Sequence, residues 1–225
     1  MAALFCALAF ASMFVMRINV MFLTFDSKDA IITIAGLLFG PIYSLSISLV
    51  VSLIEFISIG DTGFWGFLMD FLSTAIFSTA CALIYKYKKN IKGAIIGLVA
   101  SVFTMTAFML LFNLFIVPLY TPNFTTAAVA KMVPTLFLPF NLTKAVLNSA
   151  LVLILYKPVS TAMKAAKVLP PSAINLSSVA LEDSDVQIKK NLTFSLIVSA
   201  TGLIVAVLCV VVFFVFLDGS FELIG

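Results

Sequence analysis

The chain has 225 residues, of which 63% are hydrophobic and 10% charged, with a mean hydropathy of +1.22 and a formal net charge of +3. That apolar content exceeds what a soluble domain carries and marks an integral membrane protein. The chain has no histidine, which excludes His-ligated zinc, Ser-His-Asp catalysis and histidine proton relays.

Apolar runs reach about 20 residues, the length of a helical span, and lack the short alternating segments of a membrane barrel. The expected elements are a first helix at 2–23, a short second helix at 29–39 ended by Gly40-Pro41, and a third at 42–57. A turn at Ser58–Gly63 leads into a fourth helix at 64–85, and Lys86–Lys92 separates it from a fifth at 93–117. Pro118-Leu-Tyr-Thr-Pro122 then opens a loop with a short amphipathic helix near 127–133, followed by a sixth helix at 139–156. The expected division is a six-helix membrane domain at 1–168, a polar cytoplasmic linker at 169–190 containing Glu182-Asp-Ser-Asp185, and a further transmembrane helix with a short tail at 191–225. Cys6, Cys81 and Cys209 are far apart in apolar segments and suggest neither a disulfide framework nor a metal site.

Of the thirteen basic residues, Lys86, Lys88, Lys89, Lys92, Lys157, Lys164, Lys167, Lys189 and Lys190 fall on one side of this topology, and only Lys28 and Lys131 fall opposite. The positive-inside rule therefore expects a cytoplasmic N-terminus and an external C-terminus. A signal peptide over the first 20 residues is disfavoured, because there is no basic leader region and a cut near Ala11 would leave an apolar stub to Leu23. Ala3, Ala7 and Ala11 recur every four residues and form a small-residue stripe, suited either to a partner helix or to packing within the bundle.

Arg17 and Lys144 are the two bases left within spans. A lysine in a membrane span is costly unless it is paired or lines a polar cavity, which makes Lys144 a candidate functional residue. Asn141, Lys144 and Asn148 share one helical face, and Lys144 lies roughly 8 Å below the outer end of its helix. Glu55, Asp70, Asn113 and Arg17 lie at a similar level on other helices, outlining an outward-facing pocket. The plainer alternatives are that Lys144 pairs with Glu55 or Asp70 to pin helices, that Arg17 is structural or snorkels, and that Asn113 and Asn141 make interhelical hydrogen bonds. Amide and ammonium groups beside Phe, Trp65, Tyr43 and Tyr120 would suit a flat heteroaromatic with imide-like edge groups.

Phe25-Asp-Ser-Lys-Asp-Ala, Leu38-Phe-Gly-Pro41, Gly60-Asp61, Ile84-Tyr-Lys86, Asn113 followed by Pro118-Leu-Tyr120, and Pro139-Phe-Asn-Leu-Thr-Lys144 together resemble the riboflavin-specific S components of energy-coupling factor (ECF) vitamin transporters, over residues 1–168. The resemblance implies an all-α, six-helix subunit in the cell membrane. It would bind riboflavin from outside and join a transmembrane coupling subunit and two cytoplasmic ATPases. It places Asn113, Asn141 and Lys144 against the flavin ring, and makes Ala3, Ala7 and Ala11 the docking stripe for the coupling subunit. Asn148, Glu55 and Asp70 complete the candidate substrate-binding set. No cofactor, metal or nucleic acid is expected, and the remaining partner is membrane lipid.

The chain departs from the family in its seventh span and in Asp70, a carboxylate where members with Asn differ. It contains no Gly-x-x-x-x-Gly-Lys-Ser/Thr loop, so it is not its own ATPase by that route. Nor does it show the paired broken helices of an inverted-repeat transporter. The competing readings are an S component for FMN, which would want cations such as Lys28 and Lys131 near the mouth, an S component for another vitamin, or a membrane scaffold held by buried ion pairs.

Overall fold

The apolar run at residues 2–23 does not form one helix. In the computed structural model, which describes residues 1–20, 23–59, 63–89, 91–120 and 125–165, helix α1 spans Ala2–Val15 and is followed by strands β1, Arg17–Val20, and β2, Leu23–Asp26. The strands pair antiparallel, with Arg17 opposite Asp26 and Ile18 opposite Phe25. The helical expectation gives way here because Arg17-Ile-Asn-Val and Leu23-Thr-Phe-Asp alternate polar and apolar residues with the period of a strand. Met16 has already left helical geometry, at φ −141° and ψ 89°. The Ser27 hydroxyl then ties the far end of the hairpin back to α1 by donating to the Ser12 carbonyl at 3.0 Å.

The remaining elements follow the expected order. They are α2 Lys28–Phe39, α3 Pro41–Ser58, α4 Gly63–Tyr87, α5 Ile91–Tyr120, α6 Thr126–Met132 and α7 Leu138–Ala165. A π-helical turn over Val133–Phe137, with Pro134 near its start, joins α6 to α7 where a loop was expected. Helices α5 and α7 run on through Pro118 and Pro158. The Gly60-Asp61 turn, the linker at 169–190 and the seventh span at 191–225 lie outside the described residues.

Among the described residues, four segments are long and apolar enough to cross a membrane: Pro41–Ser58, Gly63–Tyr87, Lys92–Leu119 and Thr126–Tyr156. The protein is thus an all-α polytopic membrane protein with one small hairpin. Its outer faces carry exposed Leu45, Leu49, Leu53 and Ile57 on α3 and Phe103, Leu111 and Phe115 on α5, the apolar surface a bilayer requires.

Helix α2 is the centre of the bundle, packed against α1, α3, α4 and α7. Its 12 residues extend about 18 Å, and Ala30, Ile32, Thr33, Ile34, Ala35 and Leu37 are all buried, as expected of a helix apolar on every side. Small residues allow the close approach that drives helix association in lipid. A Cβ on Gly36 would lie 2.9 Å from Ser44 Cβ and 3.1 Å from Ala82 Cβ, so α2, α3 and α4 meet there without spare room. Gly40, at φ +103°, ends α2 in a conformation that favours glycine, and Pro41 opens α3 with its φ already suited to a first helical turn. A smaller apolar cluster of Val117, Val129, Leu136 and Phe137 packs with Leu23 and fastens α5, α6 and the π turn to the hairpin.

Candidate functional site

Backbone folded as a strand within a membrane bundle has to be surrounded by protein, and the groups that surround the end of this hairpin are charged. Asp26 ends β2, while Lys28 and Asp29 begin α2, and all three side chains are buried. The Lys28 ammonium is fully enclosed. It donates to Glu55 of α3 and, at 2.6 Å, to Asp70 of α4, with Asp26 Oδ2 3.6 Å away. Ser52 lies three residues before Glu55 on the same face of α3 and donates to Asp70 Oδ2 at 2.7 Å. One lysine therefore joins α2, α3 and α4.

Lys144 of α7 forms the second half of the same network. Its Nζ lies 3.7 Å from Asp26 Oδ2 and 3.6 Å from Asp29 Oδ2 and donates to the carbonyl of Thr24 at 3.2 Å. One turn further along α7, Asn148 donates through Nδ2 to the carbonyl of Asp26, also at 3.2 Å. Thr74 of α4 donates to Asp29 Oδ1 at 2.6 Å. Arg17 of β1 approaches Glu55 Oε1 at 3.6 Å, so Glu55 is shared between the hairpin and Lys28. Three cations, Arg17, Lys28 and Lys144, thus meet four carboxylates, Asp26, Asp29, Glu55 and Asp70. Buried charges persist only when paired and hydrogen-bonded, and removing one partner costs about 3–5 kcal/mol. The network therefore fixes the relative positions of the hairpin, α2, α3, α4 and α7.

The plainer alternative, in which Lys144 pairs with Glu55 or Asp70, is corrected here in its partners. Both acids belong to Lys28, and Lys144 is held by Asp26 and Asp29. Lys28, expected as a loop cation at the mouth, is a buried hub. Asn113 and Asn141 are buried at the same end of the bundle but fold back on their own helices, donating to Met109 O at 2.6 Å and Phe137 O at 2.8 Å. The Oδ1 atoms of Asn113 and Asn148 are buried acceptors without a hydrogen bond in the protein, a state native interiors rarely leave unused. Ala3, Ala7 and Ala11 lie exposed along α1, while Phe5, Cys6, Ala9 and Met13 form its buried face.

Residues that the sequence reading did not assign to this network are Asp26, Asp29 and Ser52. The signal for Asp26 and Asp29 was Phe25-Asp-Ser-Lys-Asp itself, a charged run immediately before the apolar α2. Thr74 was legible from its phase with Asp70 on α4, and Lys28 as a cation, although not as a buried one. Among the described residues no cluster suited to a metal ion is present.

Residues 1–156 match the family model described as the ECF transporter, substrate-specific component. The chain is 29% identical over 149 residues to the riboflavin transporter RibU of Staphylococcus aureus (strain TCH60), an alignment covering 64% of this chain and 78% of that protein. It also superposes on a solved structure described as "Structure and mechanism of the S component of a bacterial ECF transporter", with a TM-score of 0.60 and 28% identity over 72% of this chain and 95% of the other.

Proposed function

Since the chain belongs to the family of substrate-specific components of ECF transporters, we propose that it binds riboflavin at the end of the bundle where the hairpin meets α5 and α7. Membership makes it a transport subunit, not an enzyme, working with an energising module. The vitamin, the pocket and the orientation are the proposal.

The observation that carries it is a pair of donors on α7. Lys144 Nζ and Asn148 Nδ2 both donate to backbone carbonyls of the hairpin, those of Thr24 and Asp26. An imide edge such as that of a flavin presents the same chemistry, carbonyl oxygens that accept from ammonium and amide donors. In this reading the hairpin carbonyls hold the donors until the ligand's carbonyls replace them. Asn113 and Asn141 supply further amide groups at the same end, and the buried Oδ1 of Asn113 is an acceptor for a ligand N–H. Glu55 and Asp70 act through Lys28, holding α3 and α4 in place around the pocket.

Lys86, Lys88, Lys89 and Lys92 lie at the opposite end of the bundle, so the positive-inside rule turns the ion network outward and the N-terminus toward the cytoplasm. The exposed Ala3, Ala7 and Ala11 supply a surface of small side chains for the coupling subunit, which with two ATPases would energise transport. An FMN site is disfavoured because Lys28 is enclosed by its own carboxylates and Arg17 is engaged by Glu55, which leaves Lys131 as the unpaired cation near the mouth among the described residues. The test is titration of the detergent-purified chain with riboflavin and FMN, followed by quenching of flavin fluorescence. Saturable quenching by riboflavin at lower concentrations than FMN supports the reading, and absence of saturable quenching overturns it.

A further inference from the structure

A recess lies at the end of the bundle away from the ion network, where α2 turns into α3. Asp70 and Tyr85 are 15 residues apart on α4, which places this recess about 22 Å along the helix from the ion network. It has a volume of about 290 Å³ and is lined by Gly40, Pro41 and Ile42 at the corner and by Tyr85, Lys86 and Lys89 at the end of α4.

The charge balance of the two ends differs. Among the described residues the acids are Asp26, Asp29, Glu55 and Asp70, all committed to the distant network. Lys86 and Lys89 are exposed and make no ion pair among the described residues. The first turn of α3 enters the same recess without a side-chain cap, adding the positive end of an 18-residue helix. Next to these groups Ile42 is 80% exposed. An anion alone would not use that surface, but an anion carrying hydrocarbon would. Tyr85 and the lysines stand at the junction of an apolar helix and a polar turn, the level at which lipid headgroups lie.

We propose that this recess binds the headgroup of an anionic phospholipid. The phosphate would be held by Lys86 and Lys89 beside the start of α3, with acyl chains lying along Ile42 and the exposed face of α3. Basic recesses between transmembrane helices hold anionic headgroups by this combination of charge and apolar contact. The proposal does not depend on the identity of the transported ligand.

The test is native mass spectrometry of the full chain released from detergent containing equal amounts of phosphatidylglycerol and phosphatidylcholine. Retention of phosphatidylglycerol over phosphatidylcholine by at least about fivefold is expected, with inorganic phosphate failing to displace it. The double variant Lys86→Gln, Lys89→Gln should lose that preference, whereas Lys131→Gln, a change at the other end, should keep it. Both lysines are exposed, so the double variant should fold and still quench riboflavin fluorescence like the parent. Equal retention of the two lipids, an unchanged preference in the double variant, or displacement by inorganic phosphate would each overturn the proposal.

Discussion

Lys144 Nζ and the carbonyl of Thr24 lie 3.2 Å apart, across 120 residues of sequence. The contact makes the hairpin part of the environment of Lys144, and with Asn148 and Asp26 it gives α7 two anchors on the hairpin backbone. A ligand that takes these donors has to compete with the protein's own carbonyls. The affinity of the site therefore measures a difference between two sets of hydrogen bonds, not the strength of one.

Lys144→Ala should weaken riboflavin binding by at least about tenfold, equivalent to about 1.4 kcal/mol. The variant should lose stability, because Asp29 is left without its ion-pair partner, but should still assemble, because Thr74 still donates to Asp29, Lys28 remains beside Asp26, and the Glu55 and Asp70 pairings are untouched. Fluorescence quenching by the purified variant checks this, and an unchanged dissociation constant would remove Lys144 from the site.

Lys28→Met should destabilise the fold by about 3–5 kcal/mol, since it strips the buried Glu55 and Asp70 of their common partner. Adding Asp70→Asn to that variant should restore part of the loss by deleting one orphaned charge. Thermal unfolding in detergent reads both effects. A Lys28→Met protein as stable as the parent would mean that the hub carries no structural role.

Ala7→Leu should spare riboflavin binding while reducing uptake or co-purification with the coupling subunit. Ala7 is exposed on α1, away from the buried face of Phe5, Ala9 and Met13, so the larger side chain meets no internal neighbour. Normal uptake by this variant would argue that α1 does not present a docking stripe.

Gly36→Ala should cost about 1–3 kcal/mol, the range for overpacking a tight contact. Its added methyl would lie 2.9 Å from Ser44 Cβ and 3.1 Å from Ala82 Cβ, and neither neighbour is the far end of a flexible chain. The measurement is again the unfolding temperature in detergent, with a parent-like value counting against so close a junction of α2, α3 and α4.

Most helix limits were legible because local chemistry sets them. Gly40-Pro41 ends one helix and starts the next whatever surrounds it, and the polar Lys86–Lys92 run divides two apolar spans. The hairpin was hidden because hydropathy over residues 2–23 is high whether the chain winds or extends, and only the alternation around Arg17 and Asn19 distinguishes the two. That Lys144 required carboxylate company was equally legible, since the cost of a buried ammonium is local. Which carboxylates answered was not, because Asp26 reaches Lys144 only after the hairpin has turned the chain back. For the same reason Lys28 read as a loop charge, although its burial comes from α3 and α4 closing over it.

The π turn at Val133–Phe137 takes up length just ahead of α7. Such a turn accommodates about one more residue than an α-helical turn, and one residue of α-helix is a rotation of about 100°. Removing a single codon within the turn would therefore return it to a regular α-helical turn and leave the face bearing Asn141, Lys144 and Asn148 aimed as before. The same deletion between Leu138 and Phe140, in regular helix, would swing that face by about a quarter of a circle, away from the hairpin carbonyls, without altering any of those three side chains. The π turn is thus where this segment tolerates a change of one residue in length, and the first residues of α7 are where it does not.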